Sequence, residues 1–274
     1  TMADYGAEYP YHPAACYGGW GQALDLYLDG SIAVCNHAHN GRSTETFRNE
    51  GHFDLIQKQL RPGDFVVIQF GHNDQKHPHL QAYNGYPENL RRFIEEIRAK
   101  KALPILATPI ARNTWTEQNG KLTYNDLLHD HAQACIALGK ELNVPVLDLH
   151  QAAMEDIIRL GRDASKAYYH QGDWTHTNDY GAVRAAGYAA NALRSLGGAF
   201  PDYLPLIQAV SVSIKPWKPE AALLLEKPVR LAGVKDPNGT EEGTAAQDHQ
   251  AEKDGGDALA RLLAAVQSAR GQGG

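Results

Sequence analysis

Along residues 1–200, short apolar runs alternate with longer amphipathic stretches. Four runs are rich in Val, Ile and Leu and short enough for strands: 31–38 (SIAVCNHA), 64–71 (DFVVIQFG), 103–110 (LPILATPI) and 145–149 (PVLDL). Unbroken apolar runs of this length mark strands buried on both faces. Helical spacing marks the segments 19–28, 44–60, 87–101, 122–142, 150–160 and 178–196. Pro62 and Gly63 punctuate a helix-to-strand turn, and Gly139 and Gly181 sit near expected element boundaries. Strand–helix alternation on this scale predicts an α/β fold, a parallel sheet covered by helices on both faces.

Beyond about residue 216 the pattern dissolves into Pro, Lys, Glu, Gly and Gln. The piece 236–257 (DPNGTEEGTAAQDHQAEKDGGD) holds too little apolar surface to order itself, and 258–269 (ALARLLAAVQSA) predicts one short amphipathic helix. The expected division is therefore a domain over 1–200 and a C-terminal extension over 201–274, partly linker or tail.

Composition narrows the function. Hydrophobic content of 43% and charged content of 21% fit an ordinary soluble globular protein. A net charge of −6 argues against nucleic acid as a partner, since such binding works by neutralising phosphates. No apolar run approaches the roughly 18 residues of a membrane span. Cys16, Cys35 and Cys135 are odd in number and lack CxxC spacing, which favours buried free thiols over a zinc site, with one disulfide as the alternative. The chain opens Thr1-Met2-Ala3-Asp4 without a legible signal peptide, leaving the compartment open, cytoplasmic or secreted.

Three polar segments follow expected strand ends, where an open parallel sheet places its sites. The first is 36–43 (NHAHNGRS), whose Gly41 lets backbone approach a ligand or simply makes a turn. The second is Gly71-His72-Asn73-Asp74, in which Asn73 suits either an oxyanion donor or a helix cap. The third pairs Asp173 with His176. Three-residue spacing puts both on one face of a helical turn, where the acid would hold the imidazole tautomer. With 13 histidines in the chain, a surface pair of this kind also arises by accident.

Taken together and in order, these segments resemble a known family. GWGQALDLYL at 19–28, NHAHNGRSTETF at 36–47, IQFGHNDQ at 68–75 and GDWTHTNDYGA at 172–182 are similar to conserved blocks of the SGNH (GDSL-like) hydrolases, in the rhamnogalacturonan acetylesterase-like branch. The resemblance spans roughly residues 1–200. It implies a three-layer, flavodoxin-like fold with strand order 2-1-3-4-5, and a serine esterase that needs no cofactor or metal. By motif position it implies Gly41 and Asn73 in the oxyanion hole, His176 as general base and Asp173 as its orienting acid. It also implies an acetylated polysaccharide as substrate, particularly the pectin rhamnogalacturonan, with xylan or another acetylated glycan as the alternative. Arg42, His72, His37, His39 and Lys76 stand in or beside the motif loops and are candidates for contacting an anionic sugar, each reading equally well as a solvated surface charge.

One feature departs from the family pattern. The block that carries the nucleophile reads Gly-Asp-Ser-Thr, and this chain begins at what resembles its threonine, Thr1. The expectation is that the serine immediately precedes Thr1, on a first strand missing from the given chain. Ser43 follows the Gly41 motif and Ser31 opens an expected strand, so neither replaces it. An N-terminal Thr1 nucleophile is an alternative chemistry. The competing functions are a noncatalytic glycan-binding protein of this fold and a small-ester or lipid esterase.

Overall fold

The computed structural model describes residues 17–29 and 31–204. Thr1, Cys16 and the expected helix over 258–269 lie outside the described residues. In chain order the elements begin with α1 (Trp20–Ala23), a 3-10 turn at Leu24–Tyr27, α2 (Thr44–Asn49), α3 (His52–Gln59), β1 (Phe65–Gln69) and α4 (Gly85–Ala99). There follow β2 (Leu103–Ala107), β3 (Trp115–Gln118), β4 (Lys121–Tyr124), α5 (His129–Leu142) and β5 (Val146–Leu147). The last are α6 (Leu149–Leu160), α7 (Arg162–Ser165), α8 (Asp179–Ser195) and α9 (Phe200–Tyr203).

β1, β2 and β5 form a parallel sheet in that order, with Phe65 opposite Leu103 and Leu106 opposite Val146. Successive side chains of a strand point to opposite faces, and β2 divides accordingly. Ile105 and Ala107 enter a core with Trp20, Tyr27, Leu149 and the alanines of α8. Leu106 enters the other core with Phe93, Ile94, Ile97 and Leu138. Two cores on opposite faces make the expected three-layer α/β/α arrangement. Pro104 fits within β2 because pairing with β5 starts only at Leu106, so its missing N–H breaks no ladder bond.

Several elements differ from the sequence reading. The helix expected over 44–60 is two helices, because Gly51 takes a left-handed φ of 78° and turns the chain between α2 and α3. The one expected over 122–142 begins only at His129; its first residues are β4, paired antiparallel with β3 around Asn119-Gly120. Both turn residues have positive φ, 52° and 72°, as a tight hairpin requires. The helix at 19–28 tightens into the 3-10 turn after Ala23. Gly139 lies inside α5, where a Cβ would stand 2.2 Å from Val146 Cγ2. Of the thiols, Cys135 is buried and Cys35 is exposed.

The largest difference is at 31–38, which is not a strand. Ile32 and Val34 pack against the core beside α1 and α8, which explains the apolar pattern. A strand also needs a ladder partner, and none of these residues enters a sheet. Among the described residues the parallel sheet has three strands, β1, β2 and β5. β1 ends the sheet. Asp64 accepts the Leu103 N–H at 2.8 Å, so residues 64, 66 and 68 address β2, and the backbone groups of Phe65, Val67 and Gln69 face the other way. Beyond that edge lies a slot of ≈ 1530 Å³, lined by every residue from 31 to 42 and from 63 to 73. Among the described residues no helix is long and apolar enough to cross a membrane.

Candidate active site

Two loops meet at the carboxyl end of this slot, joined by one buried carboxylate. Asp74 is fully buried and accepts the Gly71 N–H (3.0 Å), the Thr44 N–H (2.9 Å) and the Thr44 hydroxyl (2.6 Å). Burial pushes its carboxyl above the usual range, and these hydrogen bonds offset only part of that. The loop after β1 is thereby tied to the start of α2, whose N-cap Ser43 accepts the Thr46 N–H at 3.1 Å. Gly41 and Asn73 are brought together by this tie. Gly41 has a φ of 75°, and a Cβ there would meet nothing within 4 Å, so its glycine answers a backbone conformation rather than a tight approach. Asn73 donates from Nδ2 to the Arg42 carbonyl at 3.2 Å and accepts from Lys76 Nζ at 2.8 Å. Gly41 and Asn73 both line the slot.

The Asp173–His176 pair sits in a closed loop rather than a helical turn. Tyr169 bridges Thr177, the His170 N–H reaches the His176 carbonyl (3.0 Å), and the Asp173 N–H reaches the His170 carbonyl (2.9 Å). One Asp173 oxygen accepts the backbone N–H groups of Thr175 (2.6 Å) and His176 (3.0 Å). The other accepts from His176 Nδ1 at 2.7 Å. Burial raises the Asp173 carboxyl, but these hydrogen bonds outweigh it and hold the group below its ordinary range, hence ionised. An ionised partner at Nδ1 keeps the proton there and leaves Nε2 as the acceptor. His176 and Thr175 line the slot. The Thr177 hydroxyl donates to the Gly18 carbonyl (2.6 Å), anchoring the loop, and Tyr17 stacks on His170 and meets the His176 ring in a T-shaped contact.

The other expected residues are placed less uniformly. His37, His39, Arg42, His72 and Lys76 all line the slot. The Arg42 guanidinium, however, is committed to Glu50 at 2.7 Å and to the Asn40 carbonyl at 2.7 Å. His39 stacks on His52 with ring centroids 3.9 Å apart. Burial, with Arg112 beside it, drives the His72 pKa well below the histidine range, so His72 is a neutral donor or acceptor here and not a cation. Arg112 is a site residue that the sequence reading missed. It follows β2, lines the slot and donates to the His72 carbonyl at 3.1 Å. Its position just past a parallel strand's carboxyl end was the available signal. Among the described residues no three His, Cys, Asp or Glu side chains converge to hold a metal ion.

Comparison with known proteins agrees with this architecture. The model of the GDSL-like Lipase/Acylhydrolase family matches residues 1–184. The chain is 33% identical over 211 residues to rhamnogalacturonan acetylesterase RhgT of Bacillus subtilis (strain 168), a match covering 72% of this chain and 89% of that protein. It is 29% identical over 211 residues to a rhamnogalacturonan acetylesterase of Emericella nidulans, covering 68% of this chain and 82% of that one. The crystal structure of protein YXIM from Bacillus subtilis superposes with a TM-score of 0.60 at 31% identity, over 70% of this chain and 53% of that chain. The present chain thus spans about half the length of that structure. With more than half of its length matched by the family model, the chain belongs to the GDSL-like lipase/acylhydrolase family, the SGNH hydrolases, in the branch of RhgT.

Proposed function

We propose that this protein is a carbohydrate esterase that removes O-acetyl groups from a plant cell-wall polysaccharide, rhamnogalacturonan or a related pectin. One observation carries the reading: the 2.7 Å contact between His176 Nδ1 and Asp173, set in a loop whose His176 lines the same slot as Gly41 and Asn73. A serine hydroxyl attacks the acetyl carbonyl as His176 Nε2 takes its proton. The tetrahedral oxyanion is met by the Gly41 N–H, the Asn73 Nδ2 and the serine's own N–H. His176 then protonates the departing sugar hydroxyl, and water attacks the acyl-serine by the same route to release acetate. Asp173 stabilises the imidazolium in both halves without taking its proton. The names of RhgT and its Emericella relative support the acetylated pectin as substrate.

A second reading, glycan binding without turnover, is favoured by the serines. The four among the described residues hold their hydroxyls elsewhere: Ser31 on Asp29, Ser43 on Thr46, Ser165 on the Gly161 carbonyl and Ser195 on the Asn191 carbonyl. Acetate release from acetylated pectin by the full chain decides between them. The esterase reading expects release that falls at least about 10³-fold in His176→Ala. Retained binding of the glycan without any release would establish the second reading instead.

A further inference from the structure

Among the described tryptophans, Trp174 alone leaves its indole in water. Trp20 is buried and donates its Nε1–H to Gln69 Oε1 at 2.9 Å. Trp115 donates to Asn113 Oδ1 at 2.6 Å and meets Tyr124 edge-on. Trp174 is 56% exposed, and its indole makes no hydrogen bond or ring contact among the described residues. Its backbone, by contrast, is fixed. The Trp174 carbonyl accepts the Asn113 N–H at 2.9 Å, and Asp173 holds the N–H of Thr175 at 2.6 Å. Two peptide units separate Trp174 from His176, so their Cα atoms lie at most about 7.6 Å apart. A large apolar ring on a braced loop beside the proposed base is ready to be covered by whatever that base acts on.

A pyranose ring has a face of C–H bonds and a rim of polar groups, so it covers an indole while its hydroxyls stay in water. Charge selects which sugar does so. Arg112 and Lys76 line the site together with His176, whereas Trp174 stands next to Asp173, whose hydrogen bonds keep it ionised. A uronate carboxylate laid over the indole would lose water and face that like charge; an uncharged ring does neither. Rhamnose carries a methyl group where galacturonate carries its carboxylate. We infer that Trp174 is a stacking platform for the rhamnose ring that neighbours the acetylated galacturonate, and so selects rhamnogalacturonan over galacturonan. The choice of glycan rests on the proposed function.

The test titrates the full chain, by calorimetry, with two deacetylated oligosaccharides of equal length. One alternates rhamnose with galacturonate, and the other is galacturonate alone. The unaltered chain is expected to bind the first about tenfold more tightly. Trp174→Ala is expected to weaken the first about tenfold and the second less than about twofold, which erases the preference. Because the indole has no partner in the fold, the thermal transition is expected to persist. Should it fall, Trp174→Phe decides: this variant keeps the preference but loses the blue shift of tryptophan emission that saturation produces in the unaltered chain. Equal weakening of both ligands, no weakening of either, or no saturable binding of the rhamnose-bearing one overturns the inference. Binding that depends on Trp174, without acetate release from the acetylated form, upholds the platform and removes the esterase reading. Release accompanied by binding indifferent to Trp174 does the reverse.

Discussion

At the residue scale the site depends on hydrogen bonds that each make one side chain hold another. Asp173 spends three of its acceptor positions within its own loop, which fixes the ring of His176 and its tautomer together. Asn73 braces the Arg42 carbonyl with one N–H, and on the proposed esterase reading its second N–H serves the developing oxyanion. On that reading Asn73→Ala is expected to lower kcat by about 10²–10³ with KM little changed, since an oxyanion donor acts mainly in the transition state. Steady-state kinetics on nitrophenyl acetate would check the split, and a change confined to KM would assign Asn73 to binding. The types and spacing of Asp173, His176, Gly41 and Asn73 were readable because each lies in a short local motif. The commitment of Arg42 to Glu50 and the approach of Arg112 were not, because their partners stand eight and forty residues away.

At the element scale, local signals set most boundaries and the missed ones have local causes. The Asn119-Gly120 turn was a hairpin signal lost inside an apparently helical stretch. Gly51 likewise ends α2 by a backbone conformation that side-chain periodicity does not encode. α8 opens with Asn178, whose side chain accepts the Gly181 N–H at 2.9 Å, and with Asp179 packed over Gly18. Burial pushes the Asp179 carboxyl up to about 6. A raised folded-state value means that stability is full below the unfolded value near 3.8 and is lost as pH rises through about 6. That displacement corresponds to roughly 3 kcal/mol at most, reduced because a helix N-terminus favours the carboxylate. Asp179→Asn is therefore expected to raise Tm at pH 7 and to leave it nearly unchanged at pH 4. Thermal unfolding at both values checks this, and an equal shift at each would assign the effect to packing.

At the scale of the whole molecule, one carboxylate joins distant parts of the second half. Asp156 of α6 accepts from Tyr168 (2.8 Å), from Tyr188 (2.5 Å) and Arg184 (2.8 Å) of α8, and from Arg159. Burial alone would raise its carboxyl, but these donors outweigh it and hold it well below the carboxylate range. The sign is opposite to that of Asp179: the contribution is present above the unfolded value and is lost as pH falls. Asp156→Ala removes the acceptor shared by Arg184, Tyr168, Tyr188 and Arg159 and is expected to cost about 2–4 kcal/mol in urea unfolding. A loss below about 1 kcal/mol would mark the cluster as surface decoration.

By itself, the sequence determined the class of the fold, the order of its motifs and the residue types of the candidate site. Apolar periodicity and loop chemistry are local properties, legible in a window of a few residues. Only the tertiary structure decided which loops meet. Asp74 draws Thr44 to the end of β1, and Asp156 gathers side chains from residues 159 to 188. The segment 31–38 shows the division most clearly. Ile32 and Val34 are partly buried against the core while Ala33 and Cys35 are exposed, not covered on both faces as the run implied; a strand is also a relation between two backbones, and no ladder forms there among the described residues. What read as a strand is the wall of a slot, because pairing depends on what lies alongside and not on the segment's own composition.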